Sequence, residues 1–322
     1  MKPLNTPHDT GYKWLLSSHE IFLQLLKSFV KQPWVNEIRE TDLKRNETSF
    51  ISKDFQEKEA DLVYEAQLRG RTVFFYILLE LQSSVDFSMP YRLFNYMSGI
   101  WQNYLNLLPP EKHVGQKDFR LPVIVPIVLY NGASSWTAAM SLKEMMEDSE
   151  AFGDIGLQLQ YILISVNQYT EEDLLRLSNT IGAAFLFDKK DYDLEGLRNL
   201  LQKLLQALQK APKREQQTFM RWVHYIIKPY LSPKQQEMLS EGIGSHSEKE
   251  EVTMMFKNLE KTINTIKLDA RKEGLMEGRT AGRMEEKEQT AREMLRDRVQ
   301  VDVISKYTKL PPERIHTLAK QL

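Results

Sequence analysis

The chain has 322 residues, a net charge of -1 from 43 Lys+Arg against 44 Asp+Glu, and 42% hydrophobic residues. A short peptide scaffold and a mainly disordered chain are thereby excluded, on the usual scale of about 100–200 residues per domain. The balanced charge supplies no global attraction to phosphate, so a nucleic-acid partner would have to meet a local basic surface. No cysteine is present, which removes disulfides, thiolate nucleophiles and sulfur-built zinc sites and fits a reducing compartment.

The first residues, Met1-Lys2-Pro3-Leu4-Asn5, lack an apolar signal core. The longest apolar runs, Val73–Leu79 and Leu121–Tyr130, are well short of the roughly 20 residues that span a bilayer. The expectation is a cytoplasmic protein with no membrane partner. From Gly11 to Lys31 apolar residues recur at three- and four-residue intervals, which predicts one amphipathic helix. Residues 60–68 and 72–82 are rich in Val, Tyr, Phe and Ile and flank Arg69-Gly70-Arg71, the pattern of a hairpin. A helix is expected over Pro90–Leu107, ended by Pro109-Pro110. A strand covered on both faces is expected over Pro122–Tyr130, before Asn131-Gly132, and another strand over about 157–165. This order is that of an α/β layered domain, with the 90–107 helix as a right-handed crossover between the strands at 72–82 and 122–130. From Asp191 to Leu231 the pattern is helical in two segments.

Past the polar stretch Ser240–Lys249 the character changes. Between Glu248 and Arg298 there are 12 basic and 12 acidic residues, as in a long solvated helix. Gly274, Gly278 and Gly282 fall four apart inside it, each costing a helix roughly 1 kcal/mol against Ala. Two readings stay open: self-association through a close backbone approach, and a frayed spacer helix. Residues 301–315 suggest two short helices about a turn, a shape that packs as a helical end or reads DNA.

The hairpin carries the chemistry. If Gly70-Arg71 form a type II′ turn, paired residues sum to 141 and Asp61 directly faces Glu80. Two carboxylates about 4.5–5.5 Å apart at Cβ repel unless a cation lies between them. Glu80 also ends an apolar run in which a bare carboxylate is costly to bury. Gln82 shares its face. Such hard oxygen donors suit Mg²⁺ or Mn²⁺ and phosphodiester hydrolysis. The alternative is that both acids sit at strand ends in solvent, each beside a basic residue. The histidines His19, His113, His224, His246 and His316 have no ligand spacing.

His8-Asp9 with Lys13, Asp61-Leu62, Glu80-Leu81-Gln82-Ser83, Met89-Pro90-Tyr91-Arg92-Leu93 and Tyr130-Asn131-Gly132 resemble the recombination-promoting nuclease (Rpn) family. These are transposase-like proteins of the PD-(D/E)XK nuclease superfamily, and the likeness covers about residues 5–240. It implies a restriction-endonuclease-like core, a mixed sheet with a β-hairpin flanked by helices, followed by helical segments and a long charged C-terminal helix. The implied organisation is a nuclease-like domain with appended helices over 1–240, a linker over 241–250, a charged tail over 251–298 and a helical pair over 299–322. The implied activity is Mg²⁺-dependent (or Mn²⁺- or Ca²⁺-dependent) DNA cleavage, with a link to recombination or a mobile element. Asp61 and Glu80 would be metal-binding acids and catalytic with Gln82, which stands where the superfamily usually has lysine. A glutamine can hydrogen-bond water but offers no charge. Asp9, Lys13, Arg92 and Tyr96 are candidate supporting residues. DNA is the implied partner, with a second copy of the chain as a candidate partner through the C-terminal helix. A weakly active or inactive DNA- or protein-binding module is the rival.

Overall fold

A computed structural model describes residues 7–46, 62–80, 85–153, 155–189, 194–241 and 248–321. The predicted first helix is two, α1 (Pro7–Leu15) and α2 (His19–Phe29). The apolar periodicity runs through both, but Ser17 Oγ donates to the Lys13 carbonyl at 2.6 Å and Ser18 adopts extended backbone. Serine thus offers the chain a local alternative to the helical ladder, and the helix breaks there.

A short edge strand that the sequence did not announce, β1 (Leu43–Asn46), precedes β2 (Leu62–Leu68) and β3 (Arg71–Glu80). Next come α3 (Met89–Asn106), β4 (Val123–Tyr130), α4 (Leu142–Met145) and β5 (Ile162–Ser165). The last strand is about half the predicted length. Helices α5 (Glu171–Arg176), α6 (Thr180–Asp188), α7 (Leu194–Ala207), α8 (Lys213–Ile227) and α9 (Pro233–Ser240) follow. The sequence pattern does not mark α5 and α6. Helix α6, Thr-Ile-Gly-Ala-Ala-Phe-Leu-Phe-Asp, is buried from Thr180 to Phe187, so it has no amphipathic stripe to read.

The five strands form one mixed sheet in the order β1-β2-β3-β4-β5. Strands β1, β2 and β3 pair antiparallel, and β3, β4 and β5 pair parallel. The parallel β3–β4 pair is joined through α3, as expected. The hairpin register differs from the expected one by two residues. Leu68 pairs with Arg71 and Leu62 with Ile77, so partners sum to 139 and the two central turn residues are Arg69 and Gly70. Both have positive φ, 52° and 72°, the primed turn whose twist matches the strands. Arg69 tolerates it while its guanidinium pairs with Glu37. The argument that placed Asp61 directly opposite Glu80 therefore fails by two residues. Asp61 itself, like Gln82, lies outside the described residues.

Strand alternation sends Val63, Phe74, Tyr76, Leu78, Ile124 and Val128 toward α3, where they pack with Met89, Leu93, Met97 and Ile100. Tyr64 and Phe75 point the other way. The Phe22 ring of α2 stacks on Tyr64 at 4.1 Å, and the Tyr64 hydroxyl donates to the Leu16 carbonyl at 2.6 Å. Each fully buried ring contributes roughly 1.5–3 kcal/mol relative to exposure. Behind α2 and α1, Phe185 of α6 and Trp222 of α8 continue the apolar core through Phe29 and Tyr12.

By its internal contacts the chain divides into two units, 1–259 and 260–322, and α10 (Glu248–Arg296) runs through the boundary. In the second unit α11 (Val301–Thr308) and α12 (Pro312–Ala319) close on the end of α10 around Ala291, Ile304, Leu310, Ile315 and Leu318. Among the described residues no helix is long and apolar enough to cross a membrane.

Candidate active site

The three parallel strands end level. Glu80 is in register with Tyr130, and Tyr130 with Ser165. Carboxyl edges of parallel strands are where α/β folds place ligands, because the chain leaves the sheet there in loops free to carry polar groups. Immediately past β4, Asn131-Gly132 is held by Asn167, which follows β5. Asn167 Nδ2 donates to the Asn131 carbonyl at 3.2 Å and to the Gly132 carbonyl. A Cβ at position 132 would overlap the Tyr130 hydroxyl oxygen, so only glycine fits beside that fully buried ring.

Asp188, the last residue of α6, gathers this edge. Its side chain is 3% exposed, and Oδ1 lies 2.5 Å from His8 Nδ1. Oδ2 accepts from Asn131 Nδ2 at 2.5 Å. The Tyr12 hydroxyl is pushed well above its ordinary pKa by full burial, then by the charge of Asp188 and by a hydrogen bond to it. Lys189, next in sequence, donates to the Tyr169 carbonyl and lies 3.5 Å from that of Asn167. One buried carboxylate thus ties the first turn of α1 to the ends of β4 and α6. Asp188 and Asn167 belong to no motif that sequence reasoning singled out. The only signal was an acid closing an otherwise apolar segment.

Glu80 is the last residue of β3, and its side chain lies outside the described set, as do Asp61 and Gln82. Asp9 follows His8 in α1, again without a described side chain. Lys13 sits one turn beyond Asp9 in α1, half-buried. Arg92 pairs with Asp86. Burial pushes the Asp86 carboxyl up, but hydrogen bonds from Ser88 and Arg92 outweigh it and hold the group below its usual range. Tyr96 is buried on the inner side of α3, 5.3 Å from the Tyr76 ring. Asp188 thus brings His8 and Asn131 together, and the backbone of Glu80 is in register with Tyr130, the residue before Asn131. It directs Arg92 to Asp86 and Tyr96 to the core. Among the described side chains no three His, Asp or Glu are placed to hold a metal ion.

A mixed five-stranded sheet with flanking helices defines an α/β protein, and polar groups converge where its parallel strands end. A family model described as "Putative transposase, YhgA-like" matches residues 6–219, about two thirds of the chain, and the chain belongs to that family. It is 21% identical over 204 residues to the inactive recombination-promoting nuclease-like protein RpnE of Escherichia coli (strain K12), covering 62% of this chain and 64% of that one. To the recombination-promoting nuclease RpnC of the same organism it is 26% identical over 137 residues, 41% of each chain. To RpnA the figures are 27% over 134 residues, 42% of this chain and 43% of the relative. The matches therefore span less than two thirds of each of these relatives. No solved structure matches the chain.

Proposed function

We propose that this chain is a divalent-metal-dependent endonuclease that hydrolyses DNA phosphodiester bonds, with a restriction-endonuclease-like core and a role in DNA recombination or a mobile element. The observation that carries the reading is the level ending of β3, β4 and β5 at Glu80, Tyr130 and Ser165, in a chain whose relatives are named recombination-promoting nucleases. Position 80 lies two residues beyond Leu78, and position 61 two before Val63. Strand alternation puts Leu78 and Val63, the residues from which those steps are counted, on the α3 side of the sheet. The observed two-residue shift of register keeps that parity, whereas a shift of one would reverse it.

The donor set, carboxylates and amides without sulfur, fits a hard cation such as Mg²⁺, Mn²⁺ or Ca²⁺. Asp61 and Glu80 would hold it. When bound, such an ion polarises a phosphoryl oxygen and lowers the pKa of water. Gln82 would orient the attacking water by hydrogen bonding without adding charge. Asp188 holds the α1 turn that carries His8, and with it position 9, against the edge. A second reading, a DNA- or protein-binding module with little or no cleavage, is favoured by Gln82 and by the name of RpnE.

Plasmid nicking with Mg²⁺ by the parent, Asp61→Ala and Glu80→Ala tests the assignment. The variants are expected to lose at least about a hundredfold in rate. Equal rates in all three would remove both acids from the site. Calorimetric Mn²⁺ uptake that vanishes in Asp61→Ala separates the enzyme from the binding module.

A further inference from the structure

We infer that Phe87 and Tyr91 form a stacking shelf for unpaired nucleobases at the mouth of the candidate site, an assignment that rests on the DNA-cleaving reading of the same edge. In a β3–α3–β4 crossover between parallel strands, the first turn of α3 lies at the end of the sheet where β3 finishes. Glu80, Asn131 and Asn167 mark that same end. The segment leading into α3 is pinned. Asp86 Oδ1 accepts from the Ser88 N–H at 2.9 Å and from its hydroxyl at 2.6 Å, and Oδ2 pairs with Arg92. Met89 and Pro90 anchor the turn from beneath, both buried.

Against that fixed backing two aromatic rings point outward. Phe87 is 65% exposed and Tyr91 54%. A single exposed apolar side chain is ordinary, but Phe87 in the turn leading into α3 and Tyr91 in its first turn stand four residues apart on one pinned segment, at the end of the sheet where β3 finishes, and form a presented surface. Rigid aromatic faces suit flat π systems. At an edge that takes DNA the flat partner is a base, and only an unpaired base offers its face, since duplex DNA keeps its faces stacked inside. Stacking tolerates any base, so the shelf selects for melted or single-stranded DNA without reading sequence.

The test uses the full chain carrying Asp61→Ala, in EDTA, with a labelled oligothymidylate of about 20 nucleotides and a blunt duplex of the same length. Phe87→Ala and Tyr91→Ala are each expected to weaken oligothymidylate binding by about tenfold while duplex binding changes by less than about twofold. Phe87→Trp is expected to keep the affinity and to show emission quenched by the oligonucleotide. Unchanged single-strand binding in the double Ala variant, equal losses on both DNAs, or emission left unquenched in Phe87→Trp would each overturn the shelf. So would a change of self-association in sedimentation with DNA binding intact, which would assign the rings to a second copy. If the parent binds the oligonucleotide through Phe87 yet cuts no plasmid, the nuclease reading fails and the shelf stands. If the parent binds neither DNA, both fall.

Discussion

Asp188 shows how much one buried carboxylate can organise. It is nearly inaccessible, and its three partners, His8, Tyr12 and Asn131, come from segments 57 to 180 residues away in sequence. Asp188→Ala would strand polar groups of all three in a poorly solvated place. A loss of about 3 kcal/mol in unfolding free energy is expected, with Asp188→Asn milder because it keeps an acceptor. Urea titration measures it, and an unmoved midpoint would mean that the network contributes nothing net. His224 supplies a pH-dependent counterpart. Its ring is buried, Nε2 lies 3.1 Å from the Met255 carbonyl, and burial lowers its pKa to about 4. The folded value lies below the unfolded one of about 6.5, so the unfolded chain binds the proton first. Stability is therefore full above about pH 6.5 and falls as pH drops toward 4, by at most about 3 kcal/mol. His224→Gln should flatten that part of the stability–pH curve. Identical slopes for parent and variant would refute the assignment.

At the scale of elements, helices and strands with a one-sided apolar pattern were legible, and those without were not. Helix α3 was expected at 90–107 and spans 89–106, because Ile100, Met97 and Leu93 line one face and Pro109-Pro110 stops it. Helix α6 was missed because it is apolar on every side, and β1 because four residues carry too little pattern. In α10 a Cβ at any of the three glycines would meet, among the described residues, no atom within 4 Å beyond its chain neighbours and the helix's own backbone. Replacing Gly274, Gly278 and Gly282 together by Ala should therefore raise helix stability by about 2–3 kcal/mol. Circular dichroism melting reads the gain. If the substitutions instead dissolve an oligomer in sedimentation, a second copy meets the helix at those glycines, which is the self-association reading of the tail.

For the whole molecule, the first turns of α10 belong to the sheet-bearing unit. Glu251 pairs with Arg221 of α8, and Asn258 Nδ2 donates to the Glu241 carbonyl at 2.7 Å. A chain ending at residue 259 should keep the urea midpoint of that unit, whereas one ending at 242 should unfold at lower urea, having lost the buried Val252, Met255 and Leu259 as well. Coincident midpoints for the two truncations would show that these contacts add no stability.

Read alone, the chain of residues established the α/β class, the parallel pairing of the strands about α3, the charged helix at the end, and the motif series that points to the family. Those follow from periodicity, punctuation by proline and glycine, and residue order, all of which are local. The turn register, the helix break at Ser17-Ser18 and the meeting of His8, Asn131 and Asp188 were settled in three dimensions. A hairpin register depends on which turn residues accept positive φ, here Arg69 and Gly70. A contact between residues 8 and 188 depends on how the layers close over one sheet, and no spacing along the chain records it.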